Sequence, residues 1–239
     1  AAMDERLALA AAIARAAPDA TLPLLRAAAE AKKQALSAAV SAGSDATVAL
    51  EELWWLARLI PHVLADAFEG EIPTTPDHLA ECTGRAVLGG VESPVDALSA
   101  EYVALACLSL DDGARRVLSP RLMETLAWGV ARWADTYLMP EDTGGSLHAA
   151  MFAGQALSQR VDEGGEGRVY RGTNKTPPSP FSEAGGGVRA LDALLQVALT
   201  ALTAWPGETG LQKVGASVLL PALTRRRALC RAAVNLPSW

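Results

Sequence analysis

Side chains able to do chemistry are few in this chain, and they are scattered. His78 and Cys82 stand one helical turn apart, but two ligands do not make a zinc site, which takes four side chains in a structural role or three and a water in a catalytic one. His62 and His148 accompany no Gly-x-Ser-x-Gly turn, so neither reads as the base of a serine hydrolase. Gly164-Gly165-Glu166-Gly167 and Gly185-Gly186-Gly187 follow no predicted strand. Without a strand to aim the loop they read as polar linker and not as a phosphate cradle. No catalytic residue, metal ligand or cofactor loop is assigned, and the expectation is a protein that is not an enzyme.

The remaining candidates are residues that bind. Arg225-Arg226-Arg227 ends a predicted helix, where basic side chains either complement exposed carbonyls or meet an anion. Trp54 and Trp55 point about 100° apart on a helix. One ring is expected in the core and the other over a neighbouring helix. Asp66, Glu69 and Glu71 crowd a turn stiffened by Pro73 and Pro76. That acidic turn reads equally as a solvated loop or as a contact for a positively charged partner, and its three carboxylates are the candidate partner-binding residues.

The elements that must position these groups are helices. Half of the 239 residues are hydrophobic but only 5% aromatic, and much of the apolar content is alanine, the strongest helix former. The apolar period stays near 3.6. Helices are predicted over about 22–40, 48–68 with a kink at Pro61, 77–88, a segment opened by Ser93-Pro94, another opened by Ser119-Pro120, a weaker one over 148–159, then 188–205, 211–223 and 225–234. In the Ser119-Pro120 helix Leu122, Leu126, Val130, Trp133 and Tyr137 fall on one stripe. From Asp162 to Gly187 the composition turns to Gly, Pro, Ser and charge, which reads as a flexible insertion. Helices this short cannot each hide an apolar face alone. They pile either into a bundle or into an α-solenoid of HEAT/armadillo-like antiparallel helix pairs. The solenoid is the expected all-α architecture, with 1–239 as one segment.

Several classes drop out on charge and pattern. With 21 Lys+Arg against 27 Asp+Glu the net charge is −6, which argues against a broad basic surface for nucleic acid. Arg58 and Glu101 interrupt the two best apolar runs well before the ~18 residues of a membrane span. Neither nucleic acid nor membrane is an expected partner. Cys82, Cys107 and Cys230 are odd in number and far apart, which fits a reducing compartment. The opening Ala1 to Ile13 mixes acid and base before an alanine-rich stretch, unlike a signal peptide.

Several blocks, in order and at similar spacing, resemble the exportin-4 family of nuclear transport receptors in the importin-beta (karyopherin) superfamily. They are Leu53-Trp54-Trp55-Leu56 through His62-Val63-Leu64-Ala65-Asp66 and Glu69-Gly70-Glu71-Ile72-Pro73, then Leu126-Ala127-Trp128, Arg132-Trp133-Ala134 and Thr136-Tyr137-Leu138. Leu202-Thr203-Ala204-Trp205, Leu219-Leu220, Arg225-Arg226-Arg227-Ala228 and Asn235 to Trp239 follow. The resemblance covers about 48–239, apart from 162–187, and departs at Leu223-Thr224, where the family tends to carry an acidic residue. It implies a central segment of a HEAT-repeat receptor that shuttles between nucleus and cytoplasm through contacts with nuclear pore proteins. Ran bound to GTP would stabilise loading of protein cargo such as hypusinated translation initiation factor 5A, with the repeats gripping Ran placed by the family outside this segment. The resemblance implies no cofactor. The alternative reading of the same helices is a constitutive scaffold with no Ran-linked switch.

Overall fold

The computed structural model describes residues 2–66, 72–140 and 179–238. Among them the chain is all-α, and the extended pairing they contain is one isolated bridge between Asp66 and Thr74. No described helix is long and apolar enough to cross a membrane. Helices α1 (Ala2–Arg15) and α2 (Pro18–Ala42) lead into α3 (Thr47–Leu64). The start of α2 lies before the expected residue 22, because Pro18 supplies the preset φ of a first helical turn and Pro23 is carried inside. Gly43, at φ 62°, closes it by donating back to the Ala39 and Val40 carbonyls.

Helix α3 stops at Leu64, short of the expected residue 68, with Ala65 already extended. Asp66 then exchanges backbone hydrogen bonds of 2.9 and 2.8 Å with Thr74. Helices α4 (Asp77–Gly89), α5 (Pro94–Cys107), the short α6 (Asp112–Arg115) and α7 (Pro120–Tyr137) follow. Both Ser-Pro signals act as read: the Ser93 hydroxyl accepts from Val95 N–H and the Ser119 hydroxyl from Leu122 N–H, each at 3.2 Å. The weaker helix expected over 148–159, and His148 with it, lies outside the described residues.

So does most of the stretch read as an insertion. Its last part, from Ser179 to Gly186, does not behave as free linker. Phe181 is buried, its ring meets Trp133 edge-on at 4.9 Å, and its carbonyl accepts from Met139 N–H at 2.8 Å. The glycines are there for close approach: a Cβ on Gly185 would stand 2.0 Å from the Ser179 oxygen, and one on Gly187 would stand 2.3 Å from the Phe181 oxygen. Polar composition concealed a tight turn seated on the core.

Helix α8 (Gly187–Thr203) follows, then a rod made of α9 (Thr209–Val214), a π turn (Gly215–Leu219) and α10 (Leu220–Thr224), and finally α11 (Arg227–Ala233). The widened turn immediately precedes Pro221, which has no N–H to give Ser217, and Leu220 N–H reaches Gly215 five residues back.

The helices pack in two rows. In one, α1 lies on α3, α3 on α7, and α7 on the rod of α9 and α10; in the other, α2 lies on α5 and α5 on α8. The rows meet where α2 packs on α3, α5 on α7 and α8 on the rod. One apolar cluster runs through them, with Leu22, Leu53, Ile60, Leu98, Leu126, Trp133, Leu194 and Leu223 all buried. Alanines at the contacts, among them Ala57, Ala127 and Ala134, are fully buried. Small side chains there let the helix axes approach closely.

Candidate functional site

Of the three carboxylates in the acidic turn, Asp66 is described and Glu69 and Glu71 lie outside the described residues. Asp66 Oδ2 is 3.1 Å from Arg15 Nη1, and its backbone is locked to Thr74. An internal cation from α1 therefore already meets this carboxylate.

Asp66 belongs to a larger arrangement that closes the end of α3. Pro61 sits in its last turn and has no N–H for the Ala57 carbonyl four residues back. Tyr102, fully buried on α5, supplies the missing donor: its hydroxyl reaches Ala57 O at 2.9 Å. Beyond Pro61 the carbonyls of the last turn face other helices. Arg15 donates to His62 O at 2.9 Å, Tyr137 to Leu64 O at 2.5 Å, and Arg132 to Pro61 O at 3.2 Å and Ala65 O at 2.7 Å. A helix C-terminus carries partial negative charge and orphan acceptors. Two guanidinium groups and two phenols satisfy them here.

Beside this closure runs an alternation of arginines and indoles. Arg121 lies 3.9 Å from the Trp54 ring centre, Arg58 lies 6.0 Å from Trp54 and 5.5 Å from Trp128, and Arg132 lies 5.9 Å from Trp128. Arg58 also pairs with Asp4 of α1, and Arg121 is 3.8 Å from Glu51. Guanidinium groups over aromatic faces add attraction beyond area burial. Trp54 enters the core as expected, whereas Trp55 stays about half exposed, edge-on to Trp54 at 4.9 Å.

His62 sits in the middle, 8% exposed, with its ring 5.4 Å from Trp128. Burial pushes its imidazole down to about 4; the Arg132 guanidinium adds to this, Asp4 opposes it, and Arg58 and Arg15 add again. The neutral ring is the folded form. Its contribution to stability is complete above the unfolded value near 6.5 and is lost as pH falls toward 4. At pH 5 that loss is about 2 kcal/mol. Asp96 works in the opposite direction, since burial and Glu92 push its carboxyl up to about 6. The comparison with His62→Gln therefore isolates the histidine. Denaturant melts at pH 7 and pH 5 should show the wild type losing about 2 kcal/mol more than the variant between the two.

Two arginines of the basic cluster engage a helix other than their own. Arg226 donates to Ala134 O at 2.8 Å, to Leu138 O, and to Met139 O at 3.2 Å, all at the end of α7. Arg225 pairs with Asp135 on the same helix. Burial raises the Asp135 carboxyl, and Arg225 pulls it back.

His78 and Cys82 have separate surroundings. Cys82, buried, donates to Asp19 Oδ1 at 3.3 Å, its thiol pushed up to about 11 mainly by burial. His78 is exposed and faces Glu81 at 4.0 Å. Among the described residues no three His, Cys, Asp or Glu gather closely enough to hold a metal ion. Arg15 and Tyr102 organise this region without having been singled out in the sequence, and Arg132 stood there only inside one of the resembling blocks. The one signal for them was Pro61, which obliges some other group to donate to Ala57 but does not say which. No protein-family model matches the chain, and no curated protein does either.

Proposed function

We propose that this chain is a segment of an exportin-4-like nuclear export receptor, an α-solenoid of HEAT-like antiparallel helix pairs that grips protein cargo together with Ran·GTP. The observation that carries the reading is the row arrangement and its repeated fastening. Arg132 of α7 closes the end of α3, and Arg226, after α10, closes the end of α7. Two helices of that row, α3 and α7, are thus tied at their C-termini by an arginine from the next layer. Stacked hairpins of a solenoid contact only their neighbours, and the succession α1–α3–α7 beside α2–α5–α8 supports that reading. The ordered Trp, Tyr and Arg blocks named above add the family resemblance.

In this reading the receptor makes and breaks no covalent bond. Ran·GTP and cargo favour the same curvature of the stack, so each raises the affinity for the other. Hydrolysis of GTP in the cytoplasm releases both, and contacts with nuclear pore proteins carry the complex across. The net charge of −6 suits basic cargo. The test is a pull-down with the polypeptide that carries this chain, offering translation initiation factor 5A with Ran·GTP or with Ran·GDP. Retention several-fold higher with Ran·GTP is expected. Equal retention with the two would leave the constitutive scaffold in its place.

A further inference from the structure

Between the first halves of α2 and α5 the helices face each other with small side chains, and the seam opens into a groove of about 350 Å³. Pro23 and Ala27 from α2, and Pro94 and Ala97 from α5, form its apolar lining; Arg26, Glu30 and Glu92 supply its charge. Arg26 is engaged: it lies 2.8 Å from Glu30 and 3.9 Å from Glu92. Glu92 is held loosely, with 70% of its side chain in water. One turn further along the seam Lys33 is likewise taken, 2.6 Å from Glu101, which is 8% exposed. Two cations thus stand against three carboxylates, and the spare negative charge lies at the mouth. Hydrogen bonding to Glu30 is the main cause, with Glu92 and Glu101 adding, of an Arg26 guanidinium held protonated more firmly than usual. These five side chains sum to a single negative charge.

We propose that this groove docks a lysine- or arginine-bearing segment of a partner protein. The aliphatic stem of the basic side chain lies on Pro23, Ala27, Pro94 and Ala97, and its cation meets Glu92 and Glu30. Long basic side chains bury their methylenes on apolar surface while keeping the charged head at a polar rim, and this groove offers an apolar lining beside carboxylates. The assignment rests on the reading that the chain carries basic proteins, and it places one such contact on α2 and α5.

The test is a fluorescence-polarisation titration of the chain with labelled hexalysine at low salt, with no Ran present, so that failure of the groove and failure of the Ran-linked switch are separate results. Glu30→Gln with Glu92→Gln should weaken binding at least fivefold. Ala27→Phe, which fills the groove from an exposed position, should do the same with every charge retained. Glu124→Gln with Glu208→Gln, which removes as much charge from other exposed positions, should change affinity less than twofold. Equal losses from the two charge-matched pairs would mean attraction to the whole acidic surface and would overturn the assignment. So would an Ala27→Phe chain that binds as before, or no binding by the wild type.

Discussion

Gly129→Ala should destabilise the chain by about 3 kcal/mol or more in a urea melt, an unusual loss for one added methyl group. A Cβ at this position on α7 would stand 1.8 Å from the Tyr102 hydroxyl oxygen, 2.9 Å from its Cζ and 3.0 Å from Pro61 Cγ. Nothing nearby is a flexible side-chain end. Tyr102 is fully buried, and its hydroxyl is the donor that Pro61 makes necessary at Ala57. To admit the methyl group, the phenol must leave the Ala57 carbonyl or α7 must move off α3. Overpacking costs roughly 1–3 kcal/mol, and a buried carbonyl left without a partner costs about as much again. Tyr102→Phe alone should lose about 1–3 kcal/mol through the unpaired carbonyl. In the double variant the atom nearest the new methyl group is gone, so the combined loss should fall clearly short of the sum of the two. A Gly129→Ala chain as stable as the wild type would contradict the packing of α3, α5 and α7 described here.

Arg226→Ala should cost about 3 kcal/mol and loosen the end of α7 against the rod that follows it. The side chain serves the Ala134, Leu138 and Met139 carbonyls at once. Ala134 O keeps Leu138 N–H at 3.2 Å, but Leu138 and Met139 are both buried, so water cannot easily replace the guanidinium. Arg226→Lys should recover only part of the loss, because an ammonium cannot span these acceptors with a planar fork. Hydrogen exchange should locate the effect: amides in the last turn of α7 and in α11 exchange faster in Arg226→Ala, while those of α2 do not. Uniform acceleration across the chain would mean that the arginine contributes only generic stability and fastens no particular layer.

The two predictions also show where sequence reading succeeds and where it stops. The stripe Leu122, Leu126, Val130, Trp133 and Tyr137 gave α7 because local periodicity and a buried face coincide there. The Ser-Pro caps of α5 and α7 were legible for the same reason: a hydroxyl bonding two or three residues on is a local event. What escaped is decided between distant segments. Pro61 announces a missing donor, but only packing of α5 on α3 names Tyr102. Nothing in the pattern of α3 itself marks His62 as buried, because the groups that face it come from α1 and α7. Gly185 to Gly187 look like linker because composition reports the absence of side chains, not the backbone pressed into the space they leave. For the candidate site, the acidic turn was visible as charge, yet the arginine that answers Asp66 is 51 residues away in sequence, on α1. The groove on α2 and α5 was not visible at all, since small residues facing each other across two helices carry no pattern along either one.

The measurement that bears most directly on the carrier reading is reciprocal. In the polypeptide that carries this chain, the dissociation constant of Ran·GTP should be measured with and without saturating translation initiation factor 5A, and that of the factor with and without Ran·GTP. Linkage requires the two ratios to be equal, and allosteric coupling of ordinary size places them between about 5 and 150. Equal ratios in that range are the predicted result. Dissociation constants that neither partner alters would contradict the account.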